Sequence, residues 1–312
     1  MAERRPITKP AALRRGDCVG VVAPAGPIER EELERGCQVL RELGYEPVPG
    51  EAVLQCDGYF AGTTEARLRD LTAMFEREDI RAIVCARGGY GTNYLLPELE
   101  RFDLLAHPKI FVGYSDVTTL LTRFVDRGLV CFHGPMTARD FAQRRYDEAS
   151  WRAVLEGQAL DLPLDWESAG VKTLVAGSAR GMLYGGCLSL LVASLGTPYE
   201  IQTDGTILFI EDVSAFPYQI DRMMMQLRLA GKFDNIRGLI FGEMIACGSS
   251  STPPTTPDVL ARFAKELGVP AVIGVRSGHV TRGNITLPLG VEAEIEFTQD
   301  AARIRCEPAL IP

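Results

Sequence analysis

Ser115 stands where an apolar run turns into a helix-periodic stretch, a position that can make a hydroxyl reactive. Ile110 to Val112 has the length and bounds of a buried strand. It meets Gly113-Tyr114-Ser115-Asp116, and Val117, Leu120, Leu121, Phe124 and Val125 then repeat at helical spacing. A serine on such a turn projects its hydroxyl from the carboxyl edge of a sheet. The N–H of Asp116 points to the same spot, so a nucleophile and half an oxyanion hole arise together. The competing reading is an N-cap, with Ser115 or Asp116 satisfying orphan N–H groups of the helix. Val117 also takes the place of the second glycine of the G-x-S-x-G signature.

A serine hydroxyl needs a neighbouring base at neutral pH, and the chain has three histidines. His107 precedes Pro108 in a connection. His133 follows Leu129–Phe132, where turn chemistry also accounts for it. His279 lies in Ser277-Gly278-His279-Val280, just beyond the run Val272–Val275. Strand-end position ranks His279 first and His133 second. The base needs a carboxylate to fix its tautomer. Glu211-Asp212 closes the run Thr206–Ile210 and puts two acids at the lip of a buried strand, one of them readily explained as a cap. Ser115, Glu211, His279 is the chain order of one hydrolase class. Arg87-Gly88-Gly89-Tyr90-Gly91, after Ile80–Ala86, is open to three uses: a second oxyanion N–H, a phosphate cradle or a tight turn. No Lys-Ser/Thr follows, which excludes a P-loop. Gly181 to Gly186 reads G-x-x-x-G-G rather than a dinucleotide fingerprint. Met223-Met224-Met225 reads as the apolar stripe of an internal helix.

The elements that must position these residues alternate through the first half. Strands are expected at Val19–Ala23, Glu46–Val48, Ile80–Ala86, Ile110–Val112 and Leu129–Phe132. Helices are expected at Glu29–Leu43, Thr64–Arg77 and Asp116–Arg127. That alternation predicts an α/β fold with a parallel sheet, where sites collect at the carboxyl ends of strands. Residues 140–176 lose the rhythm and read as an interdomain crossover with a short helix near Trp151–Leu155. The second half is mixed. Helices are expected at Ser189–Leu195, Tyr218–Leu229 and Pro257–Leu267, and strands at Thr206–Ile210, Gly238–Phe241 and Val272–Val275. Antiparallel-like strands follow at Asn284–Leu287, Glu292–Phe297 and Ala302–Cys306. Two domains are expected, 1–139 and 177–312.

At 312 residues with 46% hydrophobic and 24% charged residues, the chain reads as a soluble globular protein. A net charge of −8 without a basic run excludes a polyanionic partner such as nucleic acid. No apolar stretch approaches the ~20 residues needed to span a bilayer. Met1 to Asp17 lacks a secretory h-region, so the cytoplasm is expected. The eight cysteines are never closer than 19 residues, which leaves no C-x-x-C pair for metal or redox exchange.

The assembled segments resemble the LD-carboxypeptidase family of serine peptidases, which includes murein tetrapeptide carboxypeptidases and microcin C immunity hydrolases. The resemblance rests on Val21-Val22-Ala23-Pro24-Ala25-Gly26, Phe60-Ala61-Gly62-Thr63, Ala86 to Gly91, Gly113-Tyr114-Ser115-Asp116 and Phe132-His133-Gly134-Pro135-Met136. It continues in Gly185-Gly186, Leu195 to Tyr199, Phe209-Ile210-Glu211-Asp212-Val213, Asp221-Arg222, Gly278-His279 and Leu287-Pro288-Leu289-Gly290. It implies Ser115 as nucleophile, Glu211 as carboxylate, His279 as base, and the N–H groups of Gly89 and Asp116 as oxyanion donors. It also implies a flavodoxin-like N-terminal domain, a mixed C-terminal domain with antiparallel strands, homodimers, and neither metal nor organic cofactor. Its expected reaction is release of C-terminal D-alanine from a cytoplasmic murein tetrapeptide, with diaminopimelate or lysine at the preceding position. Arg87 is the candidate for the free carboxylate of that substrate. Cys187 stands where many members carry Asn, and Ser214-Ala215-Phe216 where many carry an acid. The alternatives are an immunity-type hydrolase of peptidyl or aminoacyl adenylate analogues, with Trp151 or Trp166 as a platform for the nucleobase, and a non-catalytic small-molecule binding module.

Overall fold

Strands buried on both faces are near-continuous apolar runs, and such runs build a parallel sheet. The computed structural model describes residues 6–164, 170–248 and 253–312. Five runs form its first sheet: β1 (Cys18–Val22), β2 (Glu46–Pro49), β3 (Ile80–Cys85), β4 (Ile110–Gly113) and β5 (Cys131–His133). They lie in the order β2-β1-β3-β4-β5, all parallel, which is the flavodoxin-like winding. Helices α1 (Arg30–Leu43), α2 (Thr64–Glu76), α3 (Leu96–Leu99) and α4 (Thr118–Asp126) connect them. Phe111 of β4 packs on Phe124 of α4 at 5.1 Å, and Phe75 of α2 lies 5.7 Å from Phe124, an aromatic core that joins β4 to both helices.

The second half contributes α5 (Glu148–Leu155), β6 (Leu160–Leu164), β7 (Lys172–Val175), β8 (Gly177–Cys187), α6 (Leu188–Ala193) and β9 (Thr206–Glu211). It continues with α7 (Pro217–Leu229), β10 (Gly238–Gly242), α8 (Thr256–Leu267), β11 (Ala271–Val275), β12 (Leu287–Leu289), β13 (Glu292–Phe297) and β14 (Ala302–Cys306). The second sheet runs β6-β14-β13-β8-β9-β10-β11-β7. Its middle, β8 to β11, is parallel and its flanks are antiparallel. β13 and β14 alternate buried and open residues, as strands with one solvated face do.

Four segments differ from the sequence expectation. Residues 160–164 and 172–175, read as irregular crossover, are edge strands whose partners lie far along the chain, β14 and β11. Pro163 is tolerated there because an edge strand can forgo a ladder donor. The glycine-rich 177–187 stretch is the 11-residue strand β8. The late strand falls at Leu287–Leu289 and pairs antiparallel with β5, so the first sheet takes its last strand from the far end of the chain. The two sheets meet across α4. The Cys187 N–H donates to Thr118 Oγ1 at 3.0 Å, and the Tyr184 hydroxyl donates to Asp126 at 3.0 Å.

Candidate active site

Ser115 leaves β4 with φ 64°, a left-handed conformation that a side chain adopts only under constraint. The preceding Tyr114 is extended, and a single tight turn, Ser115–Val117, feeds α4. Val117 sits where the signature has glycine because Gly113 makes room for it. A Cβ on Gly113 would stand 2.7 Å from Val117 Cγ1. The capping alternative fails for both residues, since no side-chain cap holds this turn. The Asp116 carboxylate reaches sideways instead. Its Oδ2 accepts the Thr92 N–H at 2.9 Å, and its carbonyl accepts the Thr92 hydroxyl at 2.8 Å. Burial raises the Asp116 carboxyl despite those bonds and the charge of Arg67.

Those bonds tie the end of the Gly88–Gly91 loop to the Ser115 turn. The loop crosses the hydroxyl so closely that a Cβ on Gly88 would lie 2.8 Å from Ser115 Oγ. The Gly88 carbonyl accepts the Gly26 N–H at 3.0 Å, which fixes the loop to the segment that follows β1. Buried Arg67 completes the frame by donating to the carbonyls of Pro24 at 2.7 Å and Gly91 at 2.8 Å. Neither the Gly89 nor the Asp116 N–H has an acceptor among the described residues. Arg87 is exposed and donates to the Pro27 carbonyl at 3.0 Å. With Gly26, Pro27, Tyr59, Gly89 and Tyr90 it lines a cleft of about 480 Å³.

Glu211 and His279 arrive from the second sheet. Glu211 is the last residue of β9 and wholly buried. Its Oε2 accepts the His279 backbone N–H at 3.0 Å and bonds His279 Nδ1 at 2.7 Å. Burial works to raise the Glu211 carboxyl, but the charge and two N–H groups of His279, with His133, hold it below the usual value. Burial likewise pulls the His279 imidazole down, and the Glu211 charge and hydrogen bond outweigh it and leave it raised. The Tyr114 ring, next to Ser115 in the chain, packs edge-on against that imidazole at 5.1 Å. The structure therefore gathers the β4 turn, the β9 end and the loop after β11 at one place. Asp212 does something else. Its oxygens accept the N–H groups of Ser189 at 2.9 Å and Val213 at 2.7 Å, capping α6.

The other candidates separate cleanly. His107 is exposed on its connection. His133 is wholly buried on the far side of Glu211, and burial pushes it down to about 4. Trp151 is also wholly buried, edge-on to Phe141 at 4.9 Å, so it cannot serve as an open platform; Trp166 lies outside the described residues. Cys187 stands beside Glu211 across the β8–β9 pairing. One donor atom each from Cys187, Glu211 and His279 lie within 4.8 Å of one another, a set a soft divalent ion could use. Here the imidazole and carboxylate already bond each other, and burial, then Glu211 and Asp212, keeps the thiol protonated.

Sequence reasoning missed Arg67 and the bracing by Thr92. Arg67 had a signal, because it stands four residues before Leu71 and seven before Met74, on the buried stripe of α2.

The LD-carboxypeptidase N-terminal domain matches residues 19–134, and the LD-carboxypeptidase C-terminal domain matches residues 180–295. A probable murein peptide carboxypeptidase of Bacillus subtilis is 38% identical, with 95% of this chain and 94% of that one covered. The microcin C7 self-immunity protein MccF of Escherichia coli is 29% identical over 92% of both chains. Its structure with aspartyl sulfamoyl adenosine is 26% identical and has a TM-score of 0.87 over 97% of this chain and 100% of that one. A muramoyltetrapeptide carboxypeptidase from Oxalobacter formigenes is 26% identical, with a TM-score of 0.84 over 94% of this chain and 100% of that one. With both halves matched in order and a relative similar along nearly its whole length, the chain belongs to the LD-carboxypeptidase family of serine-type peptidases.

Proposed function

We propose that this chain releases C-terminal D-alanine from murein tetrapeptides, with Ser115 as nucleophile, His279 as general base and Glu211 as the carboxylate that orients it. The observation that carries this is the 2.7 Å bond between buried Glu211 and His279, set beside a serine held at φ 64° under a glycine loop. Ser115 attacks the carbonyl before D-alanine while His279 takes the hydroxyl proton. The N–H groups of Gly89 and Asp116 receive the oxyanion, each contributing ~3 kcal/mol to the barrier reduction. His279 then gives its proton to the departing amine, and water hydrolyses the acyl-enzyme by the same path reversed. Arg87, at the cleft beside Gly89, takes the free carboxylate of the substrate. In this reading residues 1–139 carry the nucleophile and residues 177–312 the acid and base. Cytoplasmic work fits eight cysteines that are all free thiols.

The experiment is D-alanine release from L-Ala-D-Glu-meso-diaminopimelate-D-Ala and its lysine counterpart, against hydrolysis of an aminoacyl sulfamoyl adenylate. Faster turnover of a tetrapeptide supports this reading, and turnover of the adenylate alone replaces it with the MccF-like one. Ser115→Ala that binds peptide as before while wild type shows no turnover means a binding module. The chain also works as a homodimer in this proposal. α7 carries exposed Tyr218, Met225 and Leu229, the last 80% exposed, with Phe216 stacked on Tyr218 at 6.0 Å. Sedimentation of Leu229→Lys at half the wild-type mass supports that face; a monomeric wild type removes it.

A further inference from the structure

The second histidine at the site is wholly buried with its Nε2 lacking a hydrogen-bond partner among the described residues. His133 ends β5 and pairs with Gly113 of β4 on one side and Leu287 of β12 on the other. Its ring packs edge-on against Phe209 at 4.9 Å and lies 6.0 Å from Tyr114. Its Nε2 is 3.9 Å from Glu211 Oε1, the carboxylate oxygen that His279 does not use. Both side chains are wholly buried, and both atoms lack any other hydrogen-bond partner among the described residues. Leaving two such groups unpaired is expensive, whereas a closure of about 1 Å makes a hydrogen bond.

The tautomer follows from the other nitrogen. His133 Nδ1 is 2.9 Å from Ser277 Oγ, while that hydroxyl is 3.4 Å from the His133 carbonyl. Ser277 has one proton to give. Given to the carbonyl, it leaves a bare Nε2 lone pair against a carboxylate oxygen, which is repulsive. Given to Nδ1 over the shorter distance, it places the ring proton on Nε2, facing Oε1.

We propose that His133 is a positioning residue of this site. Set as the Nε2–H tautomer by Ser277, it holds Oε1 of Glu211 so that Oε2 stays on His279. This rests on the Ser115–His279–Glu211 reading, which Ser115→Ala tests by itself. If that variant keeps wild-type turnover the triad is wrong, whatever position 133 does. The ionisable groups facing His133 are Glu211 from β9, His279 from the loop after β11 and Tyr114 from the β4 turn.

The test is a series at position 133, measured as kcat, KM and the pH profile of D-alanine release, with thermal melts to establish folding. His133→Gln can still donate toward Oε1. His133→Asn and His133→Phe cannot. The Asn and Phe variants should lose about 10- to 100-fold in kcat, the range that loss of a hydrogen-bonded orienting partner costs at metal-bound histidines and carboxylates, with KM little changed. Their acid limb should move to higher pH, because a less satisfied Glu211 draws the His279 proton more strongly. His133→Gln should recover most of the rate and the wild-type limb. A Phe variant with unchanged kcat, or a folded Gln variant as impaired as Phe, overturns the proposal. If position 133 tolerates no substitution, Ser277→Ala carries the test: it frees the tautomer, so kcat should fall and the limb shift, and an unchanged profile overturns the role.

Discussion

At the scale of single residues, Ser115 is held in a backbone conformation that costs stability and serves geometry. A non-glycine residue in that region stores about 1–3 kcal/mol. Ser115→Gly should therefore raise the stability of the fold by about 1 kcal/mol in urea unfolding while abolishing D-alanine release. A destabilised glycine variant would mean the hydroxyl supports the fold instead. The raised His279 sets the pH dependence. In the proposed mechanism His279 is the base and must be neutral, so kcat/KM should rise with pH through a midpoint above 6.5, and a midpoint below that value contradicts the Glu211 pairing. The stability that His279 contributes runs the other way. It is fully present below 6.5 and is lost as pH climbs through the folded value, because the native state holds that proton more tightly than the unfolded chain. Glu211, held low, contributes stability above about 4.5 that is lost as pH falls. Much of this was legible residue by residue. Ser115, Glu211 and His279 each sit at the end of an apolar run. Which of the two acids meets the imidazole was named only by chain order and the family resemblance, which pointed to Glu211; the local pattern alone left both open. Glu211 and Asp212 are neighbours, and only the strand's alternation, which turns them to opposite sides, sends one to His279 and the other to cap α6.

At the scale of elements, the glycine loop after β3 owes its position to side chains that sequence patterning treats as ordinary. Arg67 belongs to a helix face that should be apolar, yet its guanidinium satisfies carbonyls from two separate loops. Arg67→Met should cost about 2–5 kcal/mol, because two buried carbonyls lose their donors. It should also lower kcat as the loop over Ser115 loosens. Equilibrium unfolding and D-alanine release measure the two effects, and a variant as stable as wild type would mean the loop holds itself. The parallel strands and helices of the first half were legible because each is a local pattern, buried on both faces or along one stripe. β6, β7 and β8 were not, because their partners are remote. β8 has glycine at 177, 181, 185 and 186, a composition that signals turns, and becomes a strand only through its ladders with β9 and β13.

At the scale of the whole molecule, the two sheets share one site, and the bonds across α4 fix them to each other. The return of β12 onto β5 goes further. During synthesis the first sheet stays unfinished until the ribosome has delivered residues 287–289, more than 150 residues after β5, since they supply its final strand. Until then β5 offers bare N–H and C=O groups, a template for pairing with other nascent chains. A fragment ending at residue 139 should accordingly precipitate on expression, and a synthetic peptide spanning residues 284–291 should restore its solubility. A fragment that stays monomeric unaided would show that the early half closes its own border.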